Sequence, residues 1–117
     1  MPAHIEFGKK GEALAISWLE KNGFRILARN WRHGRLEVDV IASRNDLLHF
    51  IEIKSRRGNR FGQPEESVDE KKLNNMMSAG DEYQYQHPEW ERIQFDILSI
   101  SQRNSFTEYF LIEDVYL

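Results

Sequence analysis

LEVDVIASRNDLLHFIEIKSR, residues Leu36 to Arg56, reads as two apolar-alternating strands joined by a tight turn. It carries four charges, Glu37, Asp39, Glu52 and Lys54, that a plain hairpin does not need. Alternate strand side chains point to opposite faces, so Glu37 and Asp39 are expected on one face and Leu36, Val38, Val40 and Ala42 on the other. Glu52 and Lys54 share a face in the same way. With Asn45-Asp46 as a two-residue turn, Arg44 faces Leu47, and counting outward sets Asp39 opposite Glu52 and Glu37 opposite Lys54. Directly opposed side chains lie about 4.5–5.5 Å apart at Cβ, where two carboxylates destabilise a sheet unless something sits between them. A divalent cation is the obvious candidate.

Upstream of the hairpin the pattern is helical from about Ile5 to Asn22, with Gly23 placed to end the helix. Ala15, Ile16 and Leu19 make its apolar face, and Glu12 falls on that face rather than with Lys9, Lys10 and Glu20. A carboxylate there needs a cation, a metal or several donors, because burying it unpaired costs several kcal/mol. The plain alternative is that Glu12 lies at the stripe's edge and reaches solvent. Phe24 to Trp31 reads as a first strand, decorated with Arg25 and Arg29 and followed by Arg32 and Arg35 around Gly34.

Downstream, Leu47 to Ile53 is apolar enough for an interior strand. Arg56, Arg57, Gly58, Asn59, Arg60, Phe61, Gly62, Gln63 and Pro64 then form a basic loop, suited to phosphate oxygens or simply solvated. A second helix is expected from Ser67 or Asp69 to about Gln86, where His87-Pro88 stops it. Leu73, Met76, Met77 and Tyr83 supply its inner face. Lys71 and Lys72 fall in its first turns, a poor place for cations unless an anion is near. Arg92 to Ile100 and Phe106 to Leu111 read as two more strands. Ile93, Phe95 and Ile97 point inward, which leaves Asp96 as a surface or turn-bonding aspartate, with a supporting role at the site as the alternative.

A chain of 117 residues, 40% hydrophobic and 30% charged, supports one globular domain and no more. The absence of cysteine excludes thiolate metal sites and disulfides. Neither a signal peptide nor a membrane span is visible, so a cytoplasmic location is expected. The net charge of −3 is unevenly spread: residues 25–60 carry nine Lys/Arg against four Asp/Glu, while residues 61–117 carry four against twelve. Such asymmetry suits a polyanionic partner at one basic face, unless the sequence blocks do not map to surface patches.

Glu12, Asp39, Glu52 and Lys54, with Glu37 as an uncertain member, form the candidate chemical site. Hard oxygen ligands without Cys, and with His4, His33, His49 and His87 at no ligand-like spacing, favour Mg2+ or Mn2+ over zinc. Carboxylates converging beside a lysine suit phosphodiester cleavage, with the lysine orienting water or neutralising charge on the phosphorane. No dinucleotide-binding, P-loop or serine-hydrolase motif is present.

Asp39 followed by Glu52-Ile53-Lys54, with a helical glutamate upstream, resembles the PD-(D/E)xK signature of restriction endonucleases and archaeal-type Holliday junction resolvases. GKKGE at 8–12, ARNWR at 28–32, LEVDVIA at 36–42, FIEIKSR at 50–56, FGQPEESV at 61–68 and QFDIL at 94–98 resemble, in order, the blocks of the YraN-like family of small bacterial proteins. The resemblance implies an α/β fold with a restriction-endonuclease-like core, a central mixed β-sheet flanked by α-helices, forming a single domain over residues 1–117. It implies metal ligands at Asp39, Glu52 and the Ile53 carbonyl, a catalytic Lys54 and an accessory carboxylate at Glu12. Arg56, Arg57 and Arg60 of the basic loop are expected to contact substrate, as are Gln63 and Lys72. The family's usual glycine before the acidic residue is Leu36 here, which bears on how closely the backbone approaches a neighbour. The expected function is metal-dependent cleavage of DNA or structured nucleic acid. The alternatives are a nucleic-acid-binding domain without efficient catalysis and a protein-interaction module with an inert site. A nuclease acting on two-fold junctions is expected to be a homodimer, with TEYFLIEDVYL as its candidate face.

Overall fold

Asn45 and Asp46 both take left-handed backbone angles, φ 54° and 62°, the pair of positive values that a type I′ hairpin turn requires. Asn and Asp tolerate them because a short polar side chain bonds locally. The computed structural model containing this turn describes the backbone of residues 3–57 and 70–115 and the side chains of residues 11–55 and 70–115. The turn joins β2 (Leu36–Arg44) to β3 (Leu47–Arg57). Their ladder begins at Arg44–Leu47, as the turn dictates, and runs through Ser43–Leu48, Ala42–His49 and Ile41–Phe50 to Val40–Ile51.

The remaining elements are α1 (Ala3–Lys21), β1 (Arg25–His33), α2 (Glu70–Gln86), β4 (Ile93–Gln102) and β5 (Thr107–Ile112). The sheet order follows the chain, β1-β2-β3-β4-β5. Among the described residues only β3 and β4 pair in parallel, with Glu52 beside Ile97 and Lys54 beside Ser99. A parallel pair needs a crossover, and α2 lies in it. The result is an α/β fold with a mixed sheet, consistent with a restriction-endonuclease-like core. No helix among the described residues is long and apolar enough to cross a membrane.

Gly23 ends α1 through its backbone freedom. At φ 89° it donates to the Glu20 carbonyl, and Phe24 donates to the Leu19 carbonyl, the two bonds of a Schellman motif. Phe24 and Leu19 are then buried together.

The two helices cover opposite faces of the sheet. Under α1, Ala15 and Leu19 pack with Phe24, Val40, Ala42, Ile51, Leu98 and Ile100. Under α2, Met76, Ala79 and Tyr83 pack with Val38, Ile41, Leu48, Phe50 and Phe95. Strands buried on both faces lose the simple inside–outside alternation. Asp96 shows the consequence: it is 0% exposed, against the expectation of a surface or turn-bonding residue, because β4 has no solvent face at that point.

A second correction concerns β2. Val40 and Ala42 pack under α1 whereas Val38 packs under α2, so the four apolar residues of this strand do not share a face. The cause lies one strand away. Asn30 of β1 has φ 50°, and both Arg29 and Asn30 reach Glu12 of α1, while Ala28 and Trp31 pack under α2. A left-handed residue resets the alternation of β1, and β2 follows because Arg29–Val40 and Trp31–Val38 stay in register.

Candidate functional site

The reset in β2 falls at Asp39. Where the β2–β3 ladder ends, the Asp39 side chain takes over from the backbone: Ile53 N–H donates to Asp39 Oδ2 at 2.9 Å. Asp39, Glu12, Ile53 and Ser55 line a cavity of about 250 Å³ on the α1 side. Gly11 sets how closely α1 crosses there, since a Cβ at that position would collide with the Ser55 side chain. On the α2 side, Glu52 and Lys72 line a second cavity of about 210 Å³ with Arg35, Glu37, Asn75 and Met76. The candidate site therefore spans the sheet at the point where two strands part.

Glu52 has only 11% of its side chain exposed, and it is answered by two ammonium groups: Lys72 Nζ lies 2.7 Å from its Oε1 and Lys54 Nζ lies 3.8 Å from the same oxygen. Lys72 is the first-turn cation that needed an anion, and Glu52 is that anion. Lys54 reaches Glu52 because residues two apart on a strand share a face.

Electrostatics mark Asp39 as the perturbed carboxyl. Burial first, then the negative charge of Glu52, push its pKa up to about 6, against the opposing Ile53 amide and Lys72. Burial and the neighbouring Lys72 ammonium lower Lys54 below the ordinary lysine value, while Glu52 and Asp39 act the other way. Burial acts to lower Lys72, but its hydrogen bonds to Glu52 and Lys54 and the nearby carboxylates outweigh it and leave its pKa raised.

Glu12 is brought to the Asp39 cavity, and its carboxylate is supplied with donors. Oε1 accepts from Arg29 at 3.2 Å and from Asn30 Nδ2 at 3.0 Å. The β2–β3 ladder stops at Val40–Ile51, so the counted pairs Asp39–Glu52 and Glu37–Lys54 are not formed, and Glu37 lines the α2-side cavity instead of sharing a face with Asp39. Glu37 pairs with Arg32 across β1–β2 and makes an exposed ion pair with it at 3.3 Å. The side chains of Arg56 and Arg57, and all of Arg60, Gln63 and the helix-cap candidates Ser67 and Asp69, lie outside the described residues.

A separate buried group was not anticipated from the chain. His49 Nδ1 lies 2.6 Å from Asp96 Oδ2, with side chains 1% and 0% exposed. Asp96 Oδ1 accepts from Gln94 Nε2 at 2.9 Å and from the Asp114 amide at 3.0 Å. His49, Asp96 and Glu113 offer ligand atoms within 4.8 Å of one another and could hold a metal ion. Arg44 already supplies a cation there, 2.9 Å from Glu113 and 4.0 Å above the Phe24 ring. His49 and Asp96 are far apart in sequence, but His49 pairs with Gln94 across β3–β4, which puts Asp96 two residues along the neighbouring strand. That cross-strand register is the signal the linear sequence did not expose.

Chemically, Asp39 and Glu52 present the hard oxygen donors that suit magnesium or manganese, and the pressure of Glu52 on Asp39 is the repulsion that a dication relieves. Among the described residues, the group of three whose ligand atoms lie within 4.8 Å of one another is His49, Asp96 and Glu113; Asp39 and Glu52 match such an ion in donor type.

Comparison with known proteins places this geometry in a family. The model of the uncharacterised protein family UPF0102 matches residues 11–100, a span containing α1 from Gly11 and most of β4. A UPF0102 protein of Bacteroides thetaiotaomicron is 38% identical over 104 residues, 89% of this chain and 86% of that protein. One from Cytophaga hutchinsonii is 41% identical over 98 residues, 84% of this chain and 87% of that protein. One from Dictyoglomus thermophilum is 45% identical over 96 residues, 81% of each chain.

Proposed function

The chain belongs to the uncharacterised protein family UPF0102, and from that premise we propose that it is a Mg2+- or Mn2+-dependent endonuclease hydrolysing phosphodiester bonds of DNA or structured nucleic acid. The proposal treats residues 1–117 as one restriction-endonuclease-like domain acting in the cytoplasm, as a homodimer if its substrate has two-fold symmetry. One observation carries it. Asp39, fixed by the Ile53 amide at 2.9 Å, is pushed up to about 6 in part by Glu52, while Lys54 stands beside Glu52.

In this reading Asp39 and Glu52, with the Ile53 carbonyl, hold the metal ion, and Glu12 adds a carboxylate at the cavity rim. When bound, the ion supplies Lewis-acid polarisation of the scissile phosphate and lowers the pKa of water. The chain's own residues do the rest. Ile53 N–H keeps the Asp39 carboxylate in one orientation, so little reorganisation is needed at the moment of reaction. Lys54 orients the attacking water and offsets negative charge on the phosphorane, for which a compact ammonium is suited. Arg56, Arg57, Arg60 and Gln63 contact the nucleic acid.

The Glu52–Lys72 ion pair at 2.7 Å favours a second reading, a nucleic-acid-binding domain of the same fold without efficient catalysis, because Glu52 is already charge-balanced there. Calorimetry with Mn2+ separates the two. Binding by the wild type that disappears in Asp39→Asn supports the metal-dependent reading, and Mn2+ affinity retained in Asp39→Asn removes Asp39 as a ligand.

A further inference from the structure

Lys72 and a divalent cation make claims on the same carboxylate. Glu52 Oε1 is 2.7 Å from Lys72 Nζ, within charge-assisted hydrogen-bond range, and 3.8 Å from Lys54 Nζ, a looser contact. Glu52 is thus already answered by ammonium groups, Lys72 closely and Lys54 loosely. A dication entering there must share Glu52 with them and gains little unless one ammonium withdraws. Lys54, with 21% of its side chain exposed, has less room to do so. Lys72 has more: its long side chain rises from α2, it is 42% exposed, and it borders the cavity that also holds Arg35.

We propose that Lys72 couples metal binding to phosphate binding. With no phosphate at the site, its ammonium stays on Glu52 and weakens the hold on a cation. When a nucleic-acid phosphodiester enters beside Arg35, Lys72 moves to the phosphate oxygens and Glu52 is released to the metal ion. Lys72 thereby acts as a positioning residue through Glu52, and the ion is retained chiefly when substrate is present. The inference rests on the reading of Asp39 and Glu52 as ligands. Its thermodynamic form is reciprocal: if the nucleic acid tightens the metal, the metal tightens the nucleic acid by the same factor.

The local charges support this direction. A cation in the first turn of a helix is opposed by the helix dipole, which an incoming anion would instead favour. Glu52 offsets that penalty for Lys72, and a phosphate near the same helix end gives it an equivalent partner. No bond is made or broken in the exchange; one ammonium changes its anionic partner.

The test is Mn2+ calorimetry on the full chain, with and without a short duplex carrying phosphorothioate linkages that resist cleavage. The variants are Lys72→Met, which keeps the stem and removes the charge, and Lys72→Arg, which keeps the charge. Without duplex, Lys72→Met is expected to bind Mn2+ about tenfold or more tightly than wild type, while Lys72→Arg stays within about threefold of wild type. Duplex is expected to tighten Mn2+ binding by about five- to 150-fold in wild type, the usual range of coupling between two sites, and by much less in Lys72→Met. Equal or weaker Mn2+ binding by Lys72→Met overturns the coupling, as does an equal duplex effect on both proteins. If wild type binds Mn2+ and Asp39→Asn does not, such a result removes the role of Lys72 alone. Absence of Mn2+ binding by wild type and Lys72→Met, with and without duplex, removes the ligand reading as well.

Discussion

Asp39 Oδ2 receives the Ile53 amide hydrogen at 2.9 Å, so a side chain replaces the ladder bond at the point where β2 leaves β3. That substitution fixes a carboxylate in a half-buried place within the electrostatic reach of Glu52. Its electrostatic cost is visible in the raised pKa of Asp39, about 6 against an ordinary 3.8.

The first prediction concerns pH. Between about 3.8 and about 6 the native chain keeps a proton on Asp39 that the unfolded chain has released. The stability this contributes is fully present below the unfolded value and is lost as pH rises through the folded one. The metal-free wild type should therefore lose stability relative to Asp39→Asn between about pH 4 and pH 7, by on the order of 2–3 kcal/mol at most. Urea melts of both proteins across that range measure the difference, and parallel curves would remove the raised pKa.

Gly23 supplies a second check, on the fold alone. Alanine there must adopt φ 89° in a region where a Cβ costs roughly 1–2 kcal/mol. Gly23→Ala should lower stability by about that amount and leave Mn2+ affinity unchanged, as read by denaturant titration and calorimetry. A variant as stable as wild type would mean that the helix end does not depend on the glycine.

A third prediction addresses the buried pair away from Asp39. Asp96 gathers His49, Gln94 and the Asp114 amide, so Asp96→Ala leaves the buried His49 and two part-buried donors without this partner and should cost about 3–5 kcal/mol. Arg103→Ala, which removes an ion pair to the 55%-exposed Glu108, should cost no more than about 1 kcal/mol. Comparable losses in the two variants, measured by thermal or urea unfolding, would contradict the structural weight given to Asp96.

Salt gives a fourth. If the basic stretch contacts phosphates, nucleic-acid affinity should fall linearly on a log–log plot against salt, and Arg56→Ala or Arg57→Ala should each reduce the slope by about one. Fluorescence anisotropy over a salt series measures it. Salt-independent binding excludes the electrostatic footprint.

Much of this architecture could be read from particular residues. Asn45-Asp46 set the hairpin register from Arg44–Leu47 to Val40–Ile51, and Gly23 marked the end of α1. The strand faces were harder. Asn30 permits φ 50° but does not require it, so nothing in the sequence announces the reset that turns Val38 and Val40 to opposite faces. The burial of Asp96 comes with His49 of β3, Gln94 and the Asp114 amide after β5, tertiary partners that local alternation does not reveal. The Lys72–Glu52 pair was half legible: two lysines in a helix's first turns demanded an anion, but only the packing of α2 identifies which one.

The central claim, that Asp39, Glu52 and Lys54 form a metal-dependent phosphodiester-cleaving site, is tested most directly by one assay. The protein is incubated with single-stranded, duplex, flap and four-way-junction DNA in the presence of Mn2+, beside Asp39→Asn and Lys54→Ala. The account predicts that the wild type cleaves at least one of these substrates, that chelator stops it, and that both variants lose about a hundredfold or more of the rate. Undiminished cleavage by Lys54→Ala, or no cleavage of any substrate by a wild type that binds Mn2+, would contradict it.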